Sequence, residues 1–99
     1  MFLILDMTDH LVKDSIAIVV MRDETYESVI LSLKGVGYIN SAGLGVIADA
    51  VMQARKQGKE LVVANIQGPI SEIFEIVKFG SFIHLFATEE EATHFLRNK

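Results

Sequence analysis

Four short, mostly apolar segments alternate with longer amphipathic segments along this chain of 99 residues. Strands are predicted at residues 2–5, 28–33, 61–64 and 82–86, and helices at residues 10–22 and 42–57, from Pro69 onward and after Thr88. Apolar strands that alternate with amphipathic helices form parallel sheets with helices packed on them. The sequence therefore predicts an α/β fold in one domain over residues 1–99, with a mostly parallel four-stranded sheet and about four helices.

The segment at residues 10–22 fits two interpretations. Its β-branched residues, among them Ile16, Val19 and Val20, favour a strand. The helical spacing of its apolar positions and a capping residue before it favour a helix. We predict a helix, because a run of this length that opens with a cap is more typical of a helix.

Composition narrows the classes of function. Hydrophobic residues make up 51% of the chain, and the net charge of −4 argues against a nucleic-acid-binding protein. No apolar run reaches the roughly 18–20 residues that span a bilayer, and the first residues lack the basic stretch of a secretory signal. The absence of cysteine excludes disulfides and thiolate metal sites. We expect a cytoplasmic protein without membrane insertion and without a cofactor.

Common enzyme signatures do not occur in the sequence. The chain has neither the G-x-x-x-x-G-K-[ST] loop nor the G-x-G-x-x-G motif of nucleotide-binding proteins. Residue 39 is isoleucine, where a nucleophile elbow around Ser41 needs glycine. The histidines, His10, His84 and His94, have no paired spacing for a metal. A Ser41–His–Asp triad fits the spacing but has no positive support, so we predict no catalytic residue and no metal site.

The segment between the second strand and the long helix is the strongest candidate for a functional site. Ser41 stands where the helix begins, and a serine there is a good N-cap. The unpaired N–H groups and the positive end of the helix dipole also make the position receptive to a phosphate. Gly43 and Gly45 lower helix propensity in the first turn, which indicates close packing within the fold or access for a partner. Leu44 fits a core role and a partner contact, and the residues by themselves favour the capping role for Ser41.

Three loops follow the carboxyl ends of the first three strands, at residues 6–9, 37–41 and 65–68. Function is usually located at this edge of a parallel sheet, and we expect the three loops to share it. Asp6 fits a loop role and a functional role equally well, because it ends the first strand.

The stretch Tyr38-Ile39-Asn40-Ser41-Ala42-Gly43-Leu44-Gly45-Val46 resembles the signature of STAS domains, especially the bacterial anti-sigma factor antagonists. In that family an apolar strand leads to an Asp-Ser-(Ser/Thr/Ala)-Gly-Leu-Gly turn that opens a helix, and the serine is phosphorylated. The resemblance extends from about Leu3 to Phe95, with Leu5-Asp6 at the place of the family's Gly-Glu-Leu-Asp loop.

The resemblance implies a regulatory switch and not an enzyme. The unphosphorylated protein would bind an anti-sigma factor, which is a GHKL-type serine kinase, and so release the sigma factor. The kinase would phosphorylate Ser41, and a PP2C-type phosphatase would reverse the modification. The implied partner-binding residues are Asp6, Asn40, Ser41, Gly43 and Leu44, with Gln67 at the rim.

Two departures from the family pattern bear on this role. Asn40 stands where the family has aspartate, and the chain starts at about the family's second strand, so we expect the usual N-terminal strand to be missing. Uncovered sheet edges tend to pair, which makes a homodimer a further hypothesis. Both departures favour an alternative function, a STAS module that is never phosphorylated and serves as a scaffold in a stressosome-like or transport complex.

Overall fold

A computed structural model describes residues 2–6 and 26–98 of the chain. The strands form a parallel sheet in the order β1 (Phe2–Asp6), β2 (Ser28–Ser32) and β3 (Glu60–Ala64). The register places Ile4 beside Ile30 and Ile30 beside Val62. β2 and β3 are almost entirely buried, as expected of parallel strands that are covered on both faces.

The predicted fourth strand at residues 82–86 is not confirmed. Phe79–Ser81 form a 3-10 turn, and Lys78 before it has a left-handed backbone with φ of 58°. This turn redirects the chain, and one parallel bridge between Val63 and Leu85 joins the following segment to β3. Within the described residues, the sheet has three strands with this bridge at the outer edge of β3.

The structure describes three α-helices, α1 (Ser41–Lys56), α2 (Pro69–Ile76) and α3 (Glu89–Arg97). Three of their ends lie at residues typical of helix boundaries. Pro69 is the first residue of α2, and Gly58, with φ of 71°, follows the end of α1. Thr88 caps α3 by accepting the N–H of Glu91 on Oγ1 at 3.1 Å. The helix predicted at residues 10–22 lies outside the described residues.

Helices α1 and α2 pack on one face of the sheet, and α3 packs on the other. Successive strand residues point to opposite faces, so the core divides into two clusters. The cluster under α1 and α2 includes Val29, Leu31, Leu61, Val63, Ile47, Ala50, Val51, Ala54, Ile70 and Phe74. The cluster under α3 comprises Ile30, Val62, Ala64, Ala92 and Leu96. These two clusters fix the positions of the helix ends relative to the sheet.

Candidate functional site

The carboxyl ends of the three strands lie side by side. Asp6, Ser32 and Ala64 are paired in register across the sheet, so the loops after β2 and β3 begin at one edge, as predicted, while residues 7–9 of the first predicted loop lie outside the described residues. The chain after β2 leads to the start of α1, and the chain after β3 leads through Asn65 and Gln67 to α2. This edge therefore brings together the two predicted functional segments that the structure describes in full.

Asn40, and not Ser41, is the N-cap of α1. The backbone of Asn40 has φ of −98° and ψ of 179°, and its Oδ1 accepts the N–H of Gly43 at 2.9 Å. The N–H of Leu44 donates to the backbone oxygen of Asn40 at 3.0 Å. The predicted capping role of Ser41 is therefore wrong, because asparagine is an equally good cap and stands at the correct distance from the Gly43 N–H.

Ser41 is the first residue of α1, and it is exposed. Its hydroxyl is not needed as a cap, since the Asn40 side chain already bonds the Gly43 N–H. The N–H groups of Ser41 and Ala42 have no acceptor within the helix, and α1 has no acidic residue in its first turn. The positive end of the helix dipole lies at the same place. This position can therefore hold a covalently attached phosphate without repulsion from α1.

The two glycines of the first turn differ in their surroundings. A Cβ atom on Gly43 would lie 2.7 Å from Cγ1 and 3.3 Å from Cδ1 of Ile39, which is buried in the core. The expectation of close packing within the fold is thus confirmed for Gly43. A Cβ atom on Gly45 would meet no described atom within 4 Å, so packing within the described chain does not explain this glycine.

Apolar residues lie close to Ser41 along the chain, within a run that has no charged residues. Leu44 is half-buried and packs against the core cluster under α1, so its side chain belongs partly to the core and is partly accessible. Tyr38, which sequence reasoning did not assign, is 75% exposed just before the helix. Residues 35–48 include no Asp, Glu, Lys or Arg, and this uncharged run is the sequence signal that could have marked Tyr38 and Gly45. Depletion of charge is typical of the core of protein–protein interfaces.

Gln67 lies at a neighbouring groove and not at the start of α1. Its Nε2 donates to the backbone oxygen of Ala87 at 3.2 Å. An open groove of about 790 Å³ lies between residues 33–37, Gln67 and the first turn of α3. The described lining of this groove does not include residues 40–44. The structure thus brings residues 40, 41, 43 and 44 together, and it places Gln67 and the backbone of Asp6 elsewhere along the same edge.

A polar network fixes the loop that leads to Ser41. Asn65 has a left-handed backbone with φ of 63°, and its Nδ2 donates to Ser32 Oγ at 2.7 Å and to Glu89 Oε1 at 3.2 Å. Ser32 is buried, and its Oγ also accepts the N–H of Lys34 at 3.2 Å. The network therefore connects β2, the loop after β3 and the first turn of α3.

Two of the histidines have partners away from Ser41. His84 Nε2 lies 3.7 Å from Glu60 Oε1, and the His84 ring packs against Phe95. His94 interacts with Asn98 at the end of α3, on the opposite face of the sheet from α1. In the described parts of the chain, no three His, Cys, Asp or Glu side chains are grouped to hold a metal. No helix in those parts is long and apolar enough to cross a membrane.

The sequence relatives of this chain include two bacterial proteins. The anti-sigma-B factor antagonist of Staphylococcus aureus is 26% identical over 65 residues, which are 66% of this chain and 60% of that protein. The BtrV protein of Bordetella bronchiseptica is 34% identical over 70 residues, which are 71% of this chain and 60% of that protein. The chain thus spans about 60% of the length of each of these relatives.

Solved structures share the fold. A sulfate transporter family protein from Wolinella succinogenes has a TM-score of 0.81 at 15% identity, over 97% of this chain and 84% of that one. The anti-sigma factor antagonist SpoIIAA in its unphosphorylated form has a TM-score of 0.64 at 18% identity, over 100% of this chain and 86% of that one. At these identities the likeness concerns the fold alone. The sequence profile of the STAS domain matches residues 4–92, and the chain therefore belongs to the STAS domain family.

Proposed function

We propose that this protein is an anti-sigma factor antagonist that is switched off by phosphorylation of Ser41. In its unphosphorylated state it binds an anti-sigma factor, a GHKL-type serine kinase, and so releases the sigma factor. The kinase transfers a phosphoryl group from ATP to the Ser41 hydroxyl, and a PP2C-type phosphatase removes it by hydrolysis. The name of the Staphylococcus aureus relative, an anti-sigma-B factor antagonist, supports this class of partner.

The proposal is carried by the separate roles of Asn40 and Ser41 at the start of α1. Asn40 holds the helix end through the Gly43 N–H, and Ser41 presents an exposed hydroxyl one residue later. Modification of Ser41 leaves the capping hydrogen bond in place. The helix can therefore keep the same start in the phosphorylated and unphosphorylated states.

Phosphorylation acts through the charge of the surface. A phosphoserine carries about −1.5 to −2 charges, and residues 35–48 contribute no charged Asp, Glu, Lys or Arg to offset it. The helix N-terminus accommodates this charge within the domain. A partner that packs over Tyr38 and Leu44 must bury it, which costs several kcal/mol when the charge is unpaired. The partner consequently dissociates although the fold is kept.

The partner-binding surface comprises Asn40, Ser41 and Leu44, with Gly43 allowing Ile39 to pack beneath it. Asp6 and Gln67 lie along the same sheet edge and extend the surface. The protein acts in the cytoplasm as a regulator without catalytic activity of its own.

Pairing of two copies through β1 forms part of the same proposal. Among the described residues, β1 pairs with β2 only, so its outer edge is available there. Ile4 in the middle of β1 is 51% exposed. An apolar edge strand of this kind pairs readily with another strand.

The test combines intact-mass measurement with calorimetric binding. The wild-type chain is incubated with ATP and each GHKL-type serine kinase of the host, beside Ser41→Ala and the control Ser81→Ala, which changes an exposed serine elsewhere. We expect one added phosphate in wild type and Ser81→Ala, none in Ser41→Ala, and weaker kinase binding after phosphorylation. Binding without phosphate transfer would contradict the switch. If no kinase binds the chain and none transfers phosphate to it, the antagonist function is refuted and the scaffold function is favoured.

A further inference from the structure

Exposed apolar side chains collect at the end of the molecule opposite Ser41. Six large hydrophobic residues are exposed in the described parts of the chain. Four of them lie near the ends of α1 and α2, namely Met52, Ile76, Val77 and Phe82. A helix that connects two parallel strands runs back along the sheet, so α1 and α2 both end where the strands begin. We call these four residues the apolar end.

Contacts within the fold join the parts of the apolar end. The Arg55 guanidinium donates to the backbone oxygen of Phe82, which ties the segment after α2 to the last turn of α1. Met52 lies three residues before Arg55, and residues three apart are neighbours on the surface of a helix. The Phe82 ring packs against Phe79 at 5.3 Å, and Phe79 in turn packs on the core under α1 and α2. The exposed side chains therefore stand on a fixed base.

The same end of the molecule carries positive charge. Residues 50–59 and 76–88 contain four of the nine Lys and Arg residues and none of the 13 Asp and Glu residues, although the whole chain has a net charge of −4. The basic residues are Arg55, Lys56, Lys59 and Lys78, and the acidic residues that border the two segments are Asp49, Glu60, Glu75 and Glu89. On the helices, Asp49 and Glu72 lie one turn nearer to the helix starts than Met52 and Ile76. The apolar end is thus basic, and acidic side chains begin one helical turn away from it.

We propose that the apolar end binds the surface of an anionic lipid bilayer. Its apolar side chains would lie at the boundary between headgroups and acyl chains, and exposed Arg55, Lys56 and Lys78 would lie among the lipid phosphates. Basic residues beside exposed apolar ones are what holds a protein in this interface. A bilayer also accepts a projecting side chain such as Ile76, which is 79% exposed, without a matching pocket.

A second copy of the chain does not fit this surface. A two-fold contact brings the same residues of both copies together, so Arg55, Lys56 and Lys78 would face their own counterparts and repel them. Binding to a bilayer is peripheral and needs no helix that spans it. Because Ser41 lies at the other end of α1, its hydroxyl stays accessible while the domain is bound.

Charge and apolar surface should contribute separately to binding. Lys56→Gln and Lys78→Gln should each weaken binding to anionic vesicles by about fivefold, the effect typical of one lysine near such a surface. Ile76→Ser should weaken it by about tenfold or more, because it removes an apolar side chain that the bilayer would bury. Higher ionic strength should weaken binding of the wild-type chain as well, since salt screens exposed charges.

The test is sedimentation with vesicles of equal parts phosphatidylcholine and phosphatidylglycerol, and with vesicles of phosphatidylcholine alone. Lys34→Gln is the matched control, because Lys34 is an exposed lysine in the loop after β2, at the opposite edge of the sheet. Circular dichroism verifies that each variant is folded. We expect wild type and Lys34→Gln to bind the anionic vesicles equally, the three other variants to bind them more weakly, and the neutral vesicles to bind little protein.

Two results would overturn the proposal. One is that the wild-type chain does not bind the anionic vesicles, and the other is that Lys56→Gln, Lys78→Gln and Ile76→Ser bind them as wild type does. If the wild-type chain does not bind vesicles and these variants instead lose affinity for the anti-sigma kinase, the apolar end is a protein interface and not a membrane site.

Discussion

Substitution of Asn40 by alanine tests the helix start on which the proposed phosphorylation site depends. Asn40→Ala removes the Oδ1 atom that accepts the Gly43 N–H at 2.9 Å. Loss of an N-cap costs about 1 kcal/mol, within a range of roughly 0.5–2, and each kcal/mol lowers the Tm of a domain of this size by about 4–8 °C. Ser41→Ala removes an exposed hydroxyl that does not cap the helix, and alanine has the higher helix propensity. The free energy of unfolding of Ser41→Ala should therefore equal or slightly exceed that of wild type.

Urea unfolding monitored by circular dichroism measures both free energies. Asn40→Asp is the matched control, because it keeps a side-chain acceptor and adds a negative charge at the positive end of the helix, worth about 0.3–1 kcal/mol. It should be at least as stable as wild type. A larger loss of stability for Ser41→Ala than for Asn40→Ala would show that Ser41 caps the helix, and the reasoning for an available hydroxyl would fail.

Three further results are expected. Gly43→Ala should lower the free energy of unfolding by about 1–3 kcal/mol, because the added methyl group displaces Ile39; a stability equal to that of wild type would contradict this packing. Asn65→Ala should lower the free energy of unfolding by a similar amount, because it removes the hydrogen bond to buried Ser32. Asn65→Gly also removes this bond but tolerates the φ of 63°, so the difference between the two variants measures the backbone strain of alanine at this position. Light scattering of the wild type should give twice the chain mass of 11.0 kDa, and the Ile4→Lys variant should give the mass of a single chain. A monomeric wild type would exclude pairing through β1.

Local signals in the sequence were sufficient to predict most element boundaries. Gly58 marks the end of α1 by its positive φ, and Pro69 opens α2. Thr88 and Glu91 form the cap of α3 through a contact three residues apart. Each of these features depends on chemistry within one helical turn, which the sequence displays directly. The family signature around Ser41 likewise identified the start of α1 to within one residue.

The features that sequence reasoning missed depend on contacts between distant segments. The strand predicted at residues 82–86 is reduced to one bridge at Leu85, because it follows a turn in which Phe79 packs against Phe74 and Phe82, at ring distances of 5.4 and 5.3 Å. The apolar residues of segment 82–86 suit a strand as well as they suit the observed packing. The N-cap was assigned to Ser41 because serine and asparagine are both good caps, and only the position of the Gly43 N–H distinguishes them.

The capping role of Asn40 bears on its replacement of the aspartate in the family pattern. Asn40 offers an oxygen to the Gly43 N–H, and aspartate is an equally strong N-cap, so we expect either residue to leave the Ser41 hydroxyl exposed. Asparagine also lacks the negative charge that aspartate would place next to the proposed phosphorylation site. A phosphate on Ser41 would be repelled by an aspartate at position 40, since like charges at this distance disfavour each other, and Asn40 avoids that repulsion. Under the proposed switch, Asn40 should therefore disfavour the phosphorylated state less than aspartate would, and release of the partner should depend on the partner's intolerance of the phosphate and not on strain within the domain.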